Sequence, residues 1–529
     1  MPHYETYRLF NGPIVTMDPV NPVAGEVVTH GHTIAWVGRR GDAPREFQRA
    51  RPVDLKGRLL LPAFSDSHTH FLYFAMSLNR VDLRGVASLR AALRQIAAYD
   101  KTHPSRREWV TGKGLDINLW GGRWPSRHDL DVILPDRPAA LCTHDEHSLW
   151  VNTEALRRCR ITASTPDPPG GRIARDRAGE PTGILQETAC DLVWDIIPQP
   201  TLLQKQRLVQ NAQKLAHAQG VAAIGDMGEP ETLTVFNELK ARGKLQLRLW
   251  KSIPLDNLDA AIDSEFHSGM GNQWIKIGAV KIFLDGALGS ATAWMLKPYR
   301  TDRKNTGVCR LARKDFETVV RKAARAGLSV CVHAIGDAAV RQAIDVLARH
   351  RDRFPRCQPP RIEHVQVIAP EDIARLGKSG IIASMQPSHL LTDRDYADRH
   401  WGSRARLAFA LRSFWDAGVP LAFGSDVPIE PLSPISGIGA AVYRSRPGDA
   451  RGPWNRGQCL AAWEAICGFT LGAAIAAGDQ DQRGMIRSGY LADLTVLDRN
   501  IITAKPRDIF KAQVSLTFVD GHPVYKAEQ

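Results

Sequence analysis

Residues 59–70 read LLLPAFSDSHTH. An apolar run closes on two histidines spaced i, i+2. In an extended strand such residues point to the same side, so both imidazoles can reach one ion. Seven later stretches have the same form, apolar residues ending on chemically capable ones: GVAAIGDM (220–227), LQLRLWKSI (245–253), IKIGAVKIFLDG (275–286), GLSVCVHAIGD (327–337), RIEHVQVI (361–368), GIIASMQPSH (380–389) and VPLAFGSDVP (419–428). Helical patterns such as AAVRQAIDVLARH (338–350) lie between several of them. Strands alternating with helices argue for βα units on a parallel sheet, and eight is the barrel number. The expected fold is α/β, a distorted TIM-like (β/α)8 barrel.

Outward from this core, residues 5–62 and the tail (GYLADLTVLDRNIITA, QVSLTFVDGHPVYK) read as short strands with Gly-centred turns. Both chain ends are expected to form one small β-sandwich, its parts spanning 1–62 and 481–529, with the barrel at 63–480. Residues from about 72 to 200 exceed what one βα unit needs and read as an insertion between the first two strands.

Of 529 residues, 43% are hydrophobic and 24% charged, enough for a large soluble core. The net charge of +13 raises the question of nucleic acid, but Lys and Arg form no dense run, so a basic surface is expected instead. No apolar stretch is long enough for a bilayer, so no membrane partner is expected. The start, MPHYETYRLF, lacks a basic region followed by an apolar run, and a cytoplasmic location is expected. The eight cysteines form no CxxC pair and read as buried free thiols. The glycine-rich GKGLDINLWGG (112–122) opens no phosphate-binding helix and is given no nucleotide role.

The strand ends carry the chemistry. His68 and His70 close the first, Lys281 lies near the end of the fourth, His333 closes the fifth, His364 the sixth, and Asp426 follows the eighth. A single histidine there would read as a satisfied core residue. Four imidazoles and a carboxylate at the face where barrel active sites lie point to a metal. Imidazole and carboxylate suit zinc and similar ions, and a carboxylate beside an activated water can move its proton.

The chain resembles the amidohydrolase superfamily, in the branch of N-substituted formamide deformylases and YtcJ-like hydrolases (amidohydrolase family 3). The matching stretches are PAFSDSHTHF (62–71), GGRIARDRAGEPTGILQE (170–187), VKIFLDGALGSATA (280–293), VHAIGDAA (332–339), RIEHVQ (361–366), SMQPSH (384–389), GSDVPIEPLSP (424–434) and GMIRSGYLADLTVLD (484–498). The resemblance implies that His68, His70 and Asp426 hold one ion, that His333 and His364 hold a second, and that a carboxylated Lys281 bridges the two. An ordinary lysine beside a one-metal site is the alternative, so one zinc or two stays open. Three departures touch the pocket more than the ligands: Glu146 in Asp145-Glu146-His147-Ser148 where the family has Gly, Ala63 and Ser65 before the HxH, and Asp-Val-Pro after the eighth strand.

Asp426 is the expected general base, with His147 as a second catalytic candidate. Trp120, Asp145 and His147 are expected to contact substrate. Trp109, Trp120, Trp124 and Trp150 either wall an apolar pocket or pack the insertion. The leading function is hydrolysis of a C–N amide bond in a small molecule, an N-substituted formamide first. The alternatives are a deaminase or a lactone or ester hydrolase on the same barrel, and a non-enzymatic binding barrel. His333-Ala-Ile-Gly-Asp in place of His-Ala-Gly-Glu, and the presence of Lys281, point away from deamination. Beyond a small-molecule substrate, a second copy of the chain in a homodimer is an option the sequence leaves open.

Overall fold

The computed structural model describes residues 5–105, 108–143 and 147–528. They form two compact units, Met1–Phe74 with Val209–Gln529, and Ala75–Leu208. In the first, eight parallel strands follow one another in chain order: β1 (Phe64–Thr69), β2 (Val221–Asp226), β3 (Arg248–Pro254), β4 (Ile275–Phe283), β5 (Val330–Ala334), β6 (Arg361–His364), β7 (Ile382–Met385) and β8 (Leu421–Phe423). These are the eight stretches read from the sequence. β8 is shorter than expected, three residues, because the chain turns at Gly424 and Asp426 takes a left-handed φ of 61°. A bridge between Thr69 and Val427 joins the last strand's extension to the first.

The alternation of strand and helix has its physical basis in buried faces. Helix Asp337–Arg349 buries Val340, Ala343, Ile344 and Leu347, the i, i+3, i+4, i+7 stripe of a helix lying on a sheet. The strands are buried almost throughout, and most read as apolar runs, as parallel sheets favour, while Phe64–Thr69 and Arg361–His364 carry polar residues into the interior.

The run 59–70 is two strands. Leu59–Pro62 belongs to a mixed eight-stranded sheet built from both chain ends, and Phe64–Thr69 enters the barrel. In that sheet Leu494–Leu497 lies antiparallel to Leu59–Pro62, and Thr6–Val15 continues on the other side. Leu9, Val27, Ile34, Leu60, Leu494 and Phe518 fill its core. One buried ion pair clasps the sheet to the barrel. Arg248 of β3 donates Nε and Nη2 to the two oxygens of Asp493 at 2.7 and 2.9 Å, and Asp493 also accepts the Asp520 amide at 2.8 Å.

The unit Ala75–Leu208 is a separate six-stranded mixed sheet with its own core. Trp150 is wholly buried in that core and its Nε1–H donates to the Ser126 carbonyl at 2.9 Å, so this tryptophan packs the insertion and is not a pocket wall. All eight cysteines are free, but Cys309 and Cys357 are exposed, contrary to the buried expectation. No helix among the described residues is long and apolar enough to cross a membrane.

Arg248 also pairs with Asp520 at 3.1 Å, so its removal leaves the buried Asp493 without the cation that holds it. Arg248→Met should therefore cost about 3–5 kcal/mol, read as a lowered thermal midpoint of the purified protein. An unchanged midpoint would show that the clasp contributes nothing to stability.

Candidate metal centre

The centre begins with β1. Alternation along the strand brings both histidines to the same carboxylate: Nε2 of His68 and of His70 lie 3.5 and 3.4 Å from Asp426 Oδ1. The three ligand atoms fall within 4.8 Å of one another. Closure of the barrel fixes this meeting. The Asp426 amide donates to the His68 carbonyl at 2.8 Å, and the His70 amide to the Val427 carbonyl at 2.9 Å. Gly424 is required here, because a Cβ would come within 2.6 Å of the His68 nitrogen.

Asp66 reinforces the join. Its Oδ1 accepts the amides of Ser425 at 2.9 Å and His68 at 3.2 Å, and burial pushes its carboxyl up to about 7. Asp285, at the end of β4, does the same for the turn after β5, accepting the amides of Ile335 and Gly336 at 3.1 and 2.8 Å.

Each remaining imidazole is oriented by a partner. His68 Nδ1 lies 2.7 Å from Glu363 Oε2, and a carboxylate only accepts, so Nδ1 carries the proton and Nε2 keeps its lone pair for the site. His364 Nδ1 donates to Gln386 Oε1 at 2.8 Å, which frees its Nε2 in the same way. His333 Nε2 donates to the Gly286 carbonyl at 2.9 Å, leaving Nδ1 as its ligand atom. The His364 ring centroid stands 4.9 Å from that of His68 and 4.6 Å from that of His333.

Electrostatics favour neutral imidazoles. Burial, then the Lys281 charge, lowers His68 and takes His333 down to about 3. Burial, then the neighbouring His333 and His68, holds His364 well below the ordinary histidine range. Burial opposes ionisation of Asp426, but the imidazoles around it, His68 first, hold its carboxyl well below the usual carboxylate range. His364 and Asp426 both sit in left-handed backbone, at φ 76° and 61°, a conformation that costs energy in non-glycine residues and clusters at functional sites.

The donors fit a cation. Asp426 Oδ1 is buried and meets no geometric hydrogen-bond partner among the described residues, while the Nε2 atoms of His68 and His70 face it at 3.5 and 3.4 Å. Lys281 is 97% buried, its Nζ 5.0 Å from the centre of the Phe283 ring, with no carboxylate of the described residues within ion-pair distance. A cavity of about 320 Å³ lies over the group, lined by His68, His70, Lys281, His333, His364 and Asp426 and further by Phe283, Gln366, His389 and Asp393.

The remaining sequence candidates lie in the Ala75–Leu208 unit. His147 Nδ1 pairs with Glu187 Oε2 at 2.9 Å and its side chain is largely exposed. Trp120 donates its Nε1–H to the Val86 carbonyl at 2.8 Å and packs edge-on to Trp150. Asp145 and Glu146 lie outside the described residues. The sequence reading assigned no role to Glu363, Gln386, His389 or Asp393. Glu363 stands beside His364 inside RIEH, and three ionisable residues in a four-residue buried strand were the available signal.

The profile of the amidohydrolase family matches residues 51–525. The chain belongs to this family. Among amidohydrolase relatives, YtcJ of Bacillus subtilis is 32% identical over 489 residues, 90% of each chain. The N-substituted formamide deformylase of Arthrobacter pascens is 26% identical over 539 residues, 97% of each. Of solved structures, an uncharacterized metal-dependent hydrolase from Pyrococcus furiosus superposes with a TM-score of 0.77 at 28% identity, covering 94% of this chain and 100% of that one. Its counterpart from Pyrococcus horikoshii OT3 gives 0.78 at 26%, covering 95% and 99%.

If Glu363 fixes the ligating tautomer of His68, Glu363→Gln should weaken divalent-metal affinity by about 10–100-fold, the usual weight of such a partner. Competition with a fluorescent chelator measures it. Equal affinity in variant and parent would remove Glu363 from the centre.

Proposed function

We propose that this amidohydrolase is a metal-dependent hydrolase cleaving the C–N amide bond of a small molecule, an N-substituted formamide first. The observation that carries the reading is the unpartnered Asp426 Oδ1 facing the Nε2 atoms of His68 and His70 inside the cavity. Similarity over 97% of its length to a protein named N-substituted formamide deformylase supports the substrate class.

His68, His70 and Asp426 would hold one divalent ion, zinc first, with His333 and His364 placed for a second. Such an ion supplies Lewis acidity toward water and toward a carbonyl oxygen. The chain's own residues do the rest. Glu363 and Gln386 hold His68 and His364 in their ligating tautomers. Asp426 accepts the proton of the attacking water on a carboxylate oxygen and returns it to the departing nitrogen, which leaves as a neutral amine. Phe283, Leu288, Ile335 and Ile429 give the cavity an apolar part that would take a hydrocarbon group of the substrate.

Lys281 is proposed to be carboxylated. The Lys281 ammonium would first give up one proton, and the neutral amine would then add one CO2 and release a second, so a cation among imidazoles becomes a carbamate anion with two ligating oxygens. This would remove the Lys281 repulsion that adds to burial in lowering His68 and His333.

Asp426→Asn should keep the fold and lower kcat on N-benzylformamide by about 10²–10⁴. Unchanged turnover would take the base role from Asp426 and pass it to His147. Lys281→Ala should lose bound metal, seen by elemental analysis, and regain activity when short carboxylic acids are added. A variant with parental metal content and rate would dismiss the carbamate. Preference for a plain lactone or an aminated ring over the formamide would overturn the amide assignment.

A further inference from the structure

The cavity over the ligands has two chemically unlike parts. Phe283 and Ile429 present apolar surface to it, 42% and 61% exposed. Gln366, His389 and Asp393 make the other part. Gln366 follows β6 by two residues, and His389 and Asp393 come from the helical segment after β7. Gln366 Nε2 donates to Asp393 Oδ2 at 3.1 Å, and His389 Nδ1 lies 4.0 Å from the same oxygen. His389 Nε2 is 3.7 Å from Asp426 Oδ2, so one imidazole separates Asp393 from the catalytic carboxylate.

This polar wall is incompletely satisfied. Gln366 and His389 are 3% and 8% exposed, yet Gln366 Oε1 and His389 Nε2 have no hydrogen-bond partner among the described residues. Native proteins rarely leave a buried acceptor such as Gln366 Oε1 unmatched without a functional reason. No Lys or Arg of the described residues comes within ion-pair distance of Asp393, and Glu430 lies close by, held by Thr392 at 2.7 Å. The wall therefore offers acceptors and negative charge, and what matches it is a hydrogen-bond donor.

We propose that Gln366 and Asp393, backed by His389, recognise an amine or hydroxyl on the substrate's N-substituent. This rests on the formamide reading. A formyl group carries only hydrogen beyond its carbonyl, so selectivity among formamides falls on the N-substituent. The apolar part of the cavity would take the substituent's hydrocarbon, and the Gln366–Asp393 pair its polar end.

Three amines of similar size test this on the metal-loaded protein: putrescine, 4-aminobutanol and pentylamine, with titration calorimetry for binding and their mono-N-formyl derivatives for kcat/KM. The parent protein should bind the first two at least tenfold more tightly than pentylamine. Asp393→Asn should bring that ratio close to one, and Gln366→Leu should reduce it. Equal binding of all three amines by the parent protein, which depends on no variant, would overturn the proposal. So would a preference that survives both substitutions. If the amines are discriminated but no formamide is cleaved, the subsite stands and the proposed reaction falls. If formamides are cleaved without regard to the terminal group, the reaction stands and the subsite falls.

Discussion

The Asp66 carboxylate lies where the eight-stranded barrel closes, taking one amide from Ser425 and one from His68 on a single oxygen. Around it the backbones of the two strand ends exchange hydrogen bonds directly, Asp426 to His68 and His70 to Val427. That join sets the register between the first and last strands. A slip of one residue would turn His68 and His70 to the other face of the sheet. The ligand cluster, the cavity above it and the polar wall beside it all depend on this closure.

The interior below the cluster is unusually polar for a barrel core. Arg361 of β6 stacks 4.0 Å over the Trp250 ring, pairs with Glu363 at 2.7 Å and reaches the Ser67 carbonyl at 3.2 Å, while Glu363 holds His68. Buried charges are costly unless paired and hydrogen-bonded. Here burial opposes ionisation of Glu363, but Arg361 and then His68 bring its carboxyl down to about 2, so it stays an acceptor. The chain Arg361–Glu363–His68 thus trades apolar packing for a fixed imidazole, an exchange expected under a site that must hold an ion in one geometry.

Period-two alternation made the His68–His70 pair legible, and the barrel's C-terminal-face rule gathered Lys281, His333, His364 and Asp426. All eight strands could be read because most are compact apolar runs and each has a punctuated end; FSDSHT and RIEH were legible through the apolar residues that flank them. What stayed hidden depends on closure. Glu363 is 295 residues from the imidazole it orients, and nothing local in RIEH distinguishes an orienting acid from a core mishap. His389 was visible only as the end of the SMQPSH motif, and Asp393 drew no reading, because their shared cavity is made by β6 and β7 lying side by side. The sequence boundary between residues 62 and 63 coincides with the break between two strands, and the Leu494–Leu497 partner assigns the first half of LLLPAFSDSHTH to the other sheet.

The central claim is that His68, His70 and Asp426 form the heart of a divalent-metal centre. X-ray absorption fine structure of the zinc-loaded protein addresses it most directly. The account predicts a nitrogen and oxygen shell at about 2.0–2.1 Å with the multiple scattering of imidazole, which a His68→Ala, His70→Ala double variant no longer shows. A sulfur shell at about 2.3 Å, or a spectrum unchanged by that double substitution, would contradict it.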